Sequence, residues 1–133
     1  MKASALLLAS LASFTVLADP PTPPKPDKWE FLGTYQAVVA AGVDDVNVVI
    51  DPVSIGRSGD IVEAYVGRGF TEVNGHWAPA HGWVVSGYKI DCKFHTYNEL
   101  WYQVSGAFGD TRNEWLTIES NSPAALAAKR VCR

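Results

Sequence analysis

The chain has 133 residues, with 11 basic and 14 acidic side chains, a formal net charge of −3 and 47% hydrophobic residues. Its charges are dispersed and no basic run exists, which excludes the usual electrostatic footprint of a nucleic-acid-binding protein. The length suffices for one domain with a real core, not for two.

Residues 1–18, MKASALLLASLASFTVLA, carry one charge at Lys2, then an apolar run from Ala3 to Leu17, and end in Val16-Leu17-Ala18. This is the pattern of a bacterial secretory signal peptide, with small residues where the peptidase reads. The apolar run is about 15 residues, short of the ~20 that span a bilayer, which argues against a membrane anchor. The expected product is a chain starting at Asp19 and exported to the periplasm, the outer surface or the medium, with no transmembrane segment. No cysteine follows the expected cleavage point, so a lipid anchor there is excluded. Losing residues 1–18 removes Lys2 alone among the charges, leaving 10 basic and 14 acidic side chains and a net charge of −4.

Residues 19–27 form a proline-rich linker. PPTPPKP (20–26) has five prolines in seven residues, a composition suited to an extended polyproline spacer of about 22 Å. The single domain is assigned to 28–133. WEFLGTY (29–35) reads as a first strand, with QAVVAAG (36–42) continuing it or forming a helical turn. Asp44-Asp45 signals a turn, and VNVVID (46–51) is a β-branched strand ended by Pro52. SIGRSGD (54–60) holds a tight turn at 58–60, so 46–69 reads as a hairpin with a long connection into IVEAYVGRG (61–69).

TEVNGHWAPAHG (71–82) is polar and turn-rich. WVVSGYKIDCKFH (83–95) follows as a long strand with a bulge expected at Ser86-Gly87. Its period of two would send Tyr88, Ile90, Cys92 and Phe94 to the core and Lys89, Asp91, Lys93 and His95 to solvent. NELWYQVSGAF (98–108) pairs with it, GDTRNE (109–114) turns, and WLTIE (115–119) is the last strand. Then the period changes. Ser122 caps a helix with Pro123 at its first position, and Lys129 and Arg130 suit the negative end of the helix dipole. Ala125, Ala128 and Cys132 would share its inward face. The fold class is therefore α+β: an antiparallel β-sheet of about five or six strands with a C-terminal helix packed on it.

Cys92 and Cys132 are the only cysteines. A nucleophile needs a nearby base, and His95 falls on the other side of the Cys92 strand. In an exported chain, two cysteines predict one bridge. It closes a loop of 41 residues from 92 to 132 inclusive, worth about 4 kcal/mol in the chain-entropy account.

For chemistry, His76 and His81 with His95 are the candidate metal or acid-base set, but zinc asks for three or four ligands in one geometry. Asp44, Asp45, Asp51 and Asp91 carry no paired-carboxylate signature, and Ser54, Ser58 and Ser105 have no triad context. Arg57 is placed to pair with Asp51 or Asp60, and Asp91 to accept backbone hydrogen bonds. No catalytic residue, metal site or cofactor is assigned. For binding, Trp77, Trp83 and Trp101 are the candidate anchors, with His76 and His81 beside them. Trp101 is expected on the face opposite Leu100, Tyr102 and Val104, outside the core.

VNVVIDPVSIGRSGDIVEAYV (46–66), YKIDC (88–92) and EWLTIESNSPAALAAKRVC (114–132), in that order, resemble the surface-adhesin protein E family of Gram-negative bacteria. The matching positions are Asp51, Ser54, Ile55, Arg57 and Gly59, then Asp91-Cys92, then Trp115 and Cys132. The resemblance implies an antiparallel sheet with a helix on it, the Cys92–Cys132 bridge, and a non-enzymatic envelope protein binding host extracellular-matrix or serum proteins. The alternatives are a periplasmic accessory subunit of an envelope assembly and a metal-dependent exported enzyme using His76, His81 and His95.

Overall fold

The computed structural model describes residues 28–133; the signal-peptide and linker assignments lie outside the described residues. One antiparallel sheet of eight strands is built from β1 (Glu30–Val39), β2 (Gly42–Ile50), β3 (Gly56–Ser58), β4 (Ile61–Val73), β5 (His76–Asp91), β6 (Thr96–Val104), β7 (Ala107–Gly109) and β8 (Leu116–Thr117). A helix, α1 (Pro123–Val131), closes the chain. Six strands lie in the order β1-β2-β4-β5-β6-β7, while β3 pairs with β4 and β8 with β6. The α+β class holds, with a few more strands than expected because two short segments join the edges.

Several boundaries differ from the sequence reading. Residues 36–39 continue β1 and pair with β2, Val38 opposite Val43 and Val39 opposite Gly42. Residues 71–82, expected as a polar loop, are mostly strand. Only Asn74 and Gly75 turn, both with positive φ (52° and 81°), as a type I′ hairpin requires. Polar side chains at Glu72 and His76 belong to the exposed ends of β4 and β5, where strand pairing does not demand an apolar face. At the other end, β5 stops at Asp91. The Asp91 carboxylate accepts from the Lys93 and Phe94 amides at 2.9 and 3.1 Å and turns the chain. The alternation therefore holds for Tyr88 and Ile90 and fails at Phe94, which is 70% exposed. The expected bulge falls one pair later, between Gly87 and Tyr88, with Leu100 as the extra residue on β6.

The segment 51–59 joins β2 to β4 through local hydrogen bonds. Buried Asp51 caps a single 3-10 turn, Pro52–Ser54, by accepting from the Val53 amide at 3.1 Å. The Ser54 hydroxyl donates to the Asp51 carbonyl at 2.7 Å and accepts from the Tyr65 amide at 2.8 Å. Arg57 pairs with neither Asp51 nor Asp60. Its guanidinium donates to the Val131 carbonyl, in the last turn of α1, where unpaired carbonyls and the helix dipole favour a cation. In this chain, the residues that carry the family resemblance are structural ones.

Helix α1 begins as read: Ser122 Oγ accepts from the Ala125 amide at 3.1 Å. Its buried side is Ala124, Ala127, Ala128 and Val131, packed on Val48, Ile50, Val62, Ala64, Val66, Tyr88 and Ile90. Ala125 and Cys132 lie at the margin instead of the centre of that face. Cys132 is the C-cap with extended backbone, so helical periodicity does not aim its side chain. The bridge to Cys92 forms, with Cα atoms 5.4 Å apart. Further ties hold the same region to the edge strand. Arg130 donates to both Glu30 carboxylate oxygens at 2.6 and 3.3 Å. The Asn121 amide exchanges two hydrogen bonds with the backbone of Gln36.

Candidate functional site: an aromatic face opposite the helix

Strand alternation gives the sheet a second face, and it is dominated by rings. Trp29, Val49, Phe70, Val85 and Trp101 are buried there, with Tyr65, Trp77, Trp83 and Leu100 packed against them half-buried. The parity is visible along β5, where Trp83 and Val85 point to this face while Val84, Ser86 and Tyr88 point toward the helix side. Two glycines make the close packing possible. A Cβ on Gly87 would fall inside the Trp101 indole, and one on Gly67 would fall against the Phe70 ring.

The rings meet in the offset and edge-on geometries that their quadrupoles favour. Trp29 meets Phe70 edge-on at 4.9 Å, and Tyr65 meets Trp101 at 5.1 Å. Phe108 approaches Trp101 at 6.1 Å from β7. At the outer edge Phe31 stacks on Trp77, centroids 4.6 Å apart and planes 7° from parallel, with Phe31 44% exposed. Tyr65 has its hydroxyl pKa raised, first by burial and then by the nearby Asp51 and Glu63 charges, so it stays a neutral donor. Among the described residues, the helix packs on the other face and no element is layered over this one.

The structure thus brings Trp77, Trp83 and Trp101 onto one face, with a correction for Trp101. It is 7% exposed and belongs to the core of that face. The bulge at Leu100 shifts the parity of β6, so Trp101 and Leu100 share a cluster instead of opposing each other. Trp101 therefore supports the ring layer from beneath, and Trp77, Trp83, Phe31 and Phe108 are the rings within reach of a partner. Phe31, Tyr65, Phe70 and Phe108 were missed by the sequence reading. Only the alternation from Trp29 to Phe31 signalled any of them.

The histidines are not assembled. His76 and His81 lie exposed on β5, not in a loop. His76 neighbours Trp77 in the strand and so points to the opposite face. His95 sits in the turn beyond the far end of β5, with φ of 56°. Among the described residues no group of three His, Cys, Asp or Glu side chains is placed to hold a metal ion, and both cysteines are bridged.

The fold and this face define a disulfide-stapled antiparallel sheet with a helix on one side and an aromatic layer on the other. Compared with known proteins, the chain matches no family model, no curated protein and no solved structure.

Proposed function

We propose that the chain is an exported, non-enzymatic binding protein of the bacterial envelope that engages a protein ligand through its aromatic face. The observation that carries this reading is the half-exposed Phe31–Trp77 stack at the edge of that face. Rings already held in place lose little side-chain freedom on binding, and a few aromatic anchors supply most of the energy of a protein interface. The Trp83 and Phe108 rings extend the same surface.

Export rests on residues 1–18 and suits a chain whose two cysteines are bridged, because disulfides persist in oxidising compartments. The likeness of 46–66, 88–92 and 114–132 to the surface-adhesin protein E family supports a host matrix or serum protein as the ligand, with the chain acting as a surface adhesin. The test has two arms. Protease treatment of intact producing cells reports location. Surface-accessible or released protein supports the adhesin reading; protein confined to the periplasm refutes it and points to an accessory role in an envelope assembly. Binding to immobilised matrix and serum proteins is then compared with that of Trp77→Ala and Phe31→Ala. Each change is expected to weaken binding at least about tenfold with a small change in melting temperature. Binding unchanged in both variants overturns the assignment of this face.

A further inference from the structure

A second concave site lies on the helix-bearing side of the sheet, beyond the end of the helix. Cross-strand pairing puts its groups on one face. Ser86 pairs with the core residue Val66 on one side and with Tyr102 on the other, Tyr88 pairs with Glu99, and Arg68 follows Val66 by two residues. The loop between β7 and β8 forms the facing wall. Between them is a cavity of about 420 Å³ lined by Arg68, Asn98, Glu99, Tyr102, Arg112 and Asn113, among others. That volume is in the range of small-molecule sites.

Three features of the lining are unsatisfied or held ready. Arg68 is half-buried, and among the described residues no carboxylate lies within ion-pair distance of it. Arg112 differs, because it pairs with Glu114 at 3.5 Å. Asn98 is 6% exposed, and its Nδ2 donates to Asn113 Oδ1 at 3.2 Å, yet its buried Oδ1 accepts from nothing. Buried acceptors are nearly always paired, so an orphan one lining a cavity is a place for a donor from outside. Glu99 is positioned by the Ser86 hydroxyl, which donates to its Oε2 at 2.6 Å. Tyr88 and Tyr97, beneath the site, feel both the Glu99 and the Arg68 charge, so the two charges lie over one patch without neutralising each other.

We propose that this cavity binds a small zwitterion, a free amino acid or a dipeptide, with its carboxylate on Arg68 and its ammonium on Asn98 Oδ1 and Glu99. A lone anion would leave the orphan acceptor and Glu99 unanswered, and a lone cation would leave Arg68 so. The site is on the opposite side of the sheet from the aromatic face and stands independently of the function proposed for it.

The test is titration of the disulfide-intact, 15N-labelled protein with L-alanine, L-leucine and L-alanyl-L-alanine. N-acetyl-L-alanine and L-alaninamide serve as probes with one charge removed. The expected result is saturable binding of at least one zwitterion at millimolar concentration or below, with a shift of the Asn98 side-chain amide resonances. Blocking either charge should weaken binding about tenfold or more, as should Arg68→Met and Glu99→Gln. The wild-type amide readout keeps the test decisive if a variant fails to fold. No saturable shift with any of the three zwitterions overturns the proposal. So does equal binding of N-acetyl-L-alanine, which would make the cavity a simple anion site.

Discussion

Replacing both bridged cysteines, Cys92→Ala with Cys132→Ala, tests how the helix is held. The bridge closes residues 92 to 132, and the chain-entropy account assigns such a loop about 4 kcal/mol. The apolar grip of the helix is no larger. It buries three alanine methyls, at Ala124, Ala127 and Ala128, and one valine, Val131, together about 4 kcal/mol of transfer free energy. A nine-residue helix has little stability of its own. The double variant is therefore expected to lose about 4 kcal/mol of unfolding free energy, a fall in the urea midpoint of roughly 2 M for a domain of this size. Hydrogen exchange should show the amides of 125–131 losing protection first, ahead of the β4–β5 amides. A loss under about 1 kcal/mol with the helix amides still protected would refute the reasoning. The Arg130–Glu30 pair and the Arg57–Val131 bond would then be the true fastening.

Gly87→Ala places a methyl inside the Trp101 ring and is expected to cost about 1–3 kcal/mol by overpacking; urea unfolding followed by tryptophan fluorescence measures it, and a neutral effect would show that the ring moves freely. Asp51→Ala removes the cap of the 3-10 turn and leaves the Val53 amide without its partner, an expected loss of about 1–2 kcal/mol, read from thermal unfolding. Burial, then the Glu99 charge, raises the Tyr88 hydroxyl pKa above its ordinary value of 10.0. The folded state thus keeps a proton that the unfolded chain releases, so stability is level below about pH 9 and falls above pH 10 by up to about 1.4 kcal/mol per unit. Unfolding free energies at pH 8 and pH 11 check this. Tyr88→Phe should reduce the alkaline loss, and an identical pH dependence in that variant would refute it.

Local signals carried a good part of this architecture. The β-branched run before Pro52, the alternation through Tyr88 and Ile90, the Ser122 cap and the paired cysteines all describe interactions between residues near one another, or a count that permits a single pairing. The same local logic failed wherever a partner strand decided the outcome. Residues 71–82 look like loop because their side chains are polar, yet β4 and β5 run through them, since backbone pairing does not require apolar side chains at an exposed end. Arg57 sits near two aspartates in sequence and donates instead to a carbonyl 74 residues away.

The candidate site divides in the same way. Its tryptophans were legible as candidates because large aromatic residues are few and conspicuous. Their gathering on one face was not, because it depends on the parity of strands that a bulge resets. One extra residue at Leu100 moves Trp101 from an expected surface position into the core, and no periodicity within β6 alone announces it. Sequence by itself determined the class of fold, the cysteine pairing and the capped helix, all of which rest on composition, period and short-range geometry. Tertiary structure alone decided which rings stay within reach of a partner and which polar atoms of Arg68 and Asn98 remain unanswered, because burial and pairing are properties of neighbours brought together from distant strands.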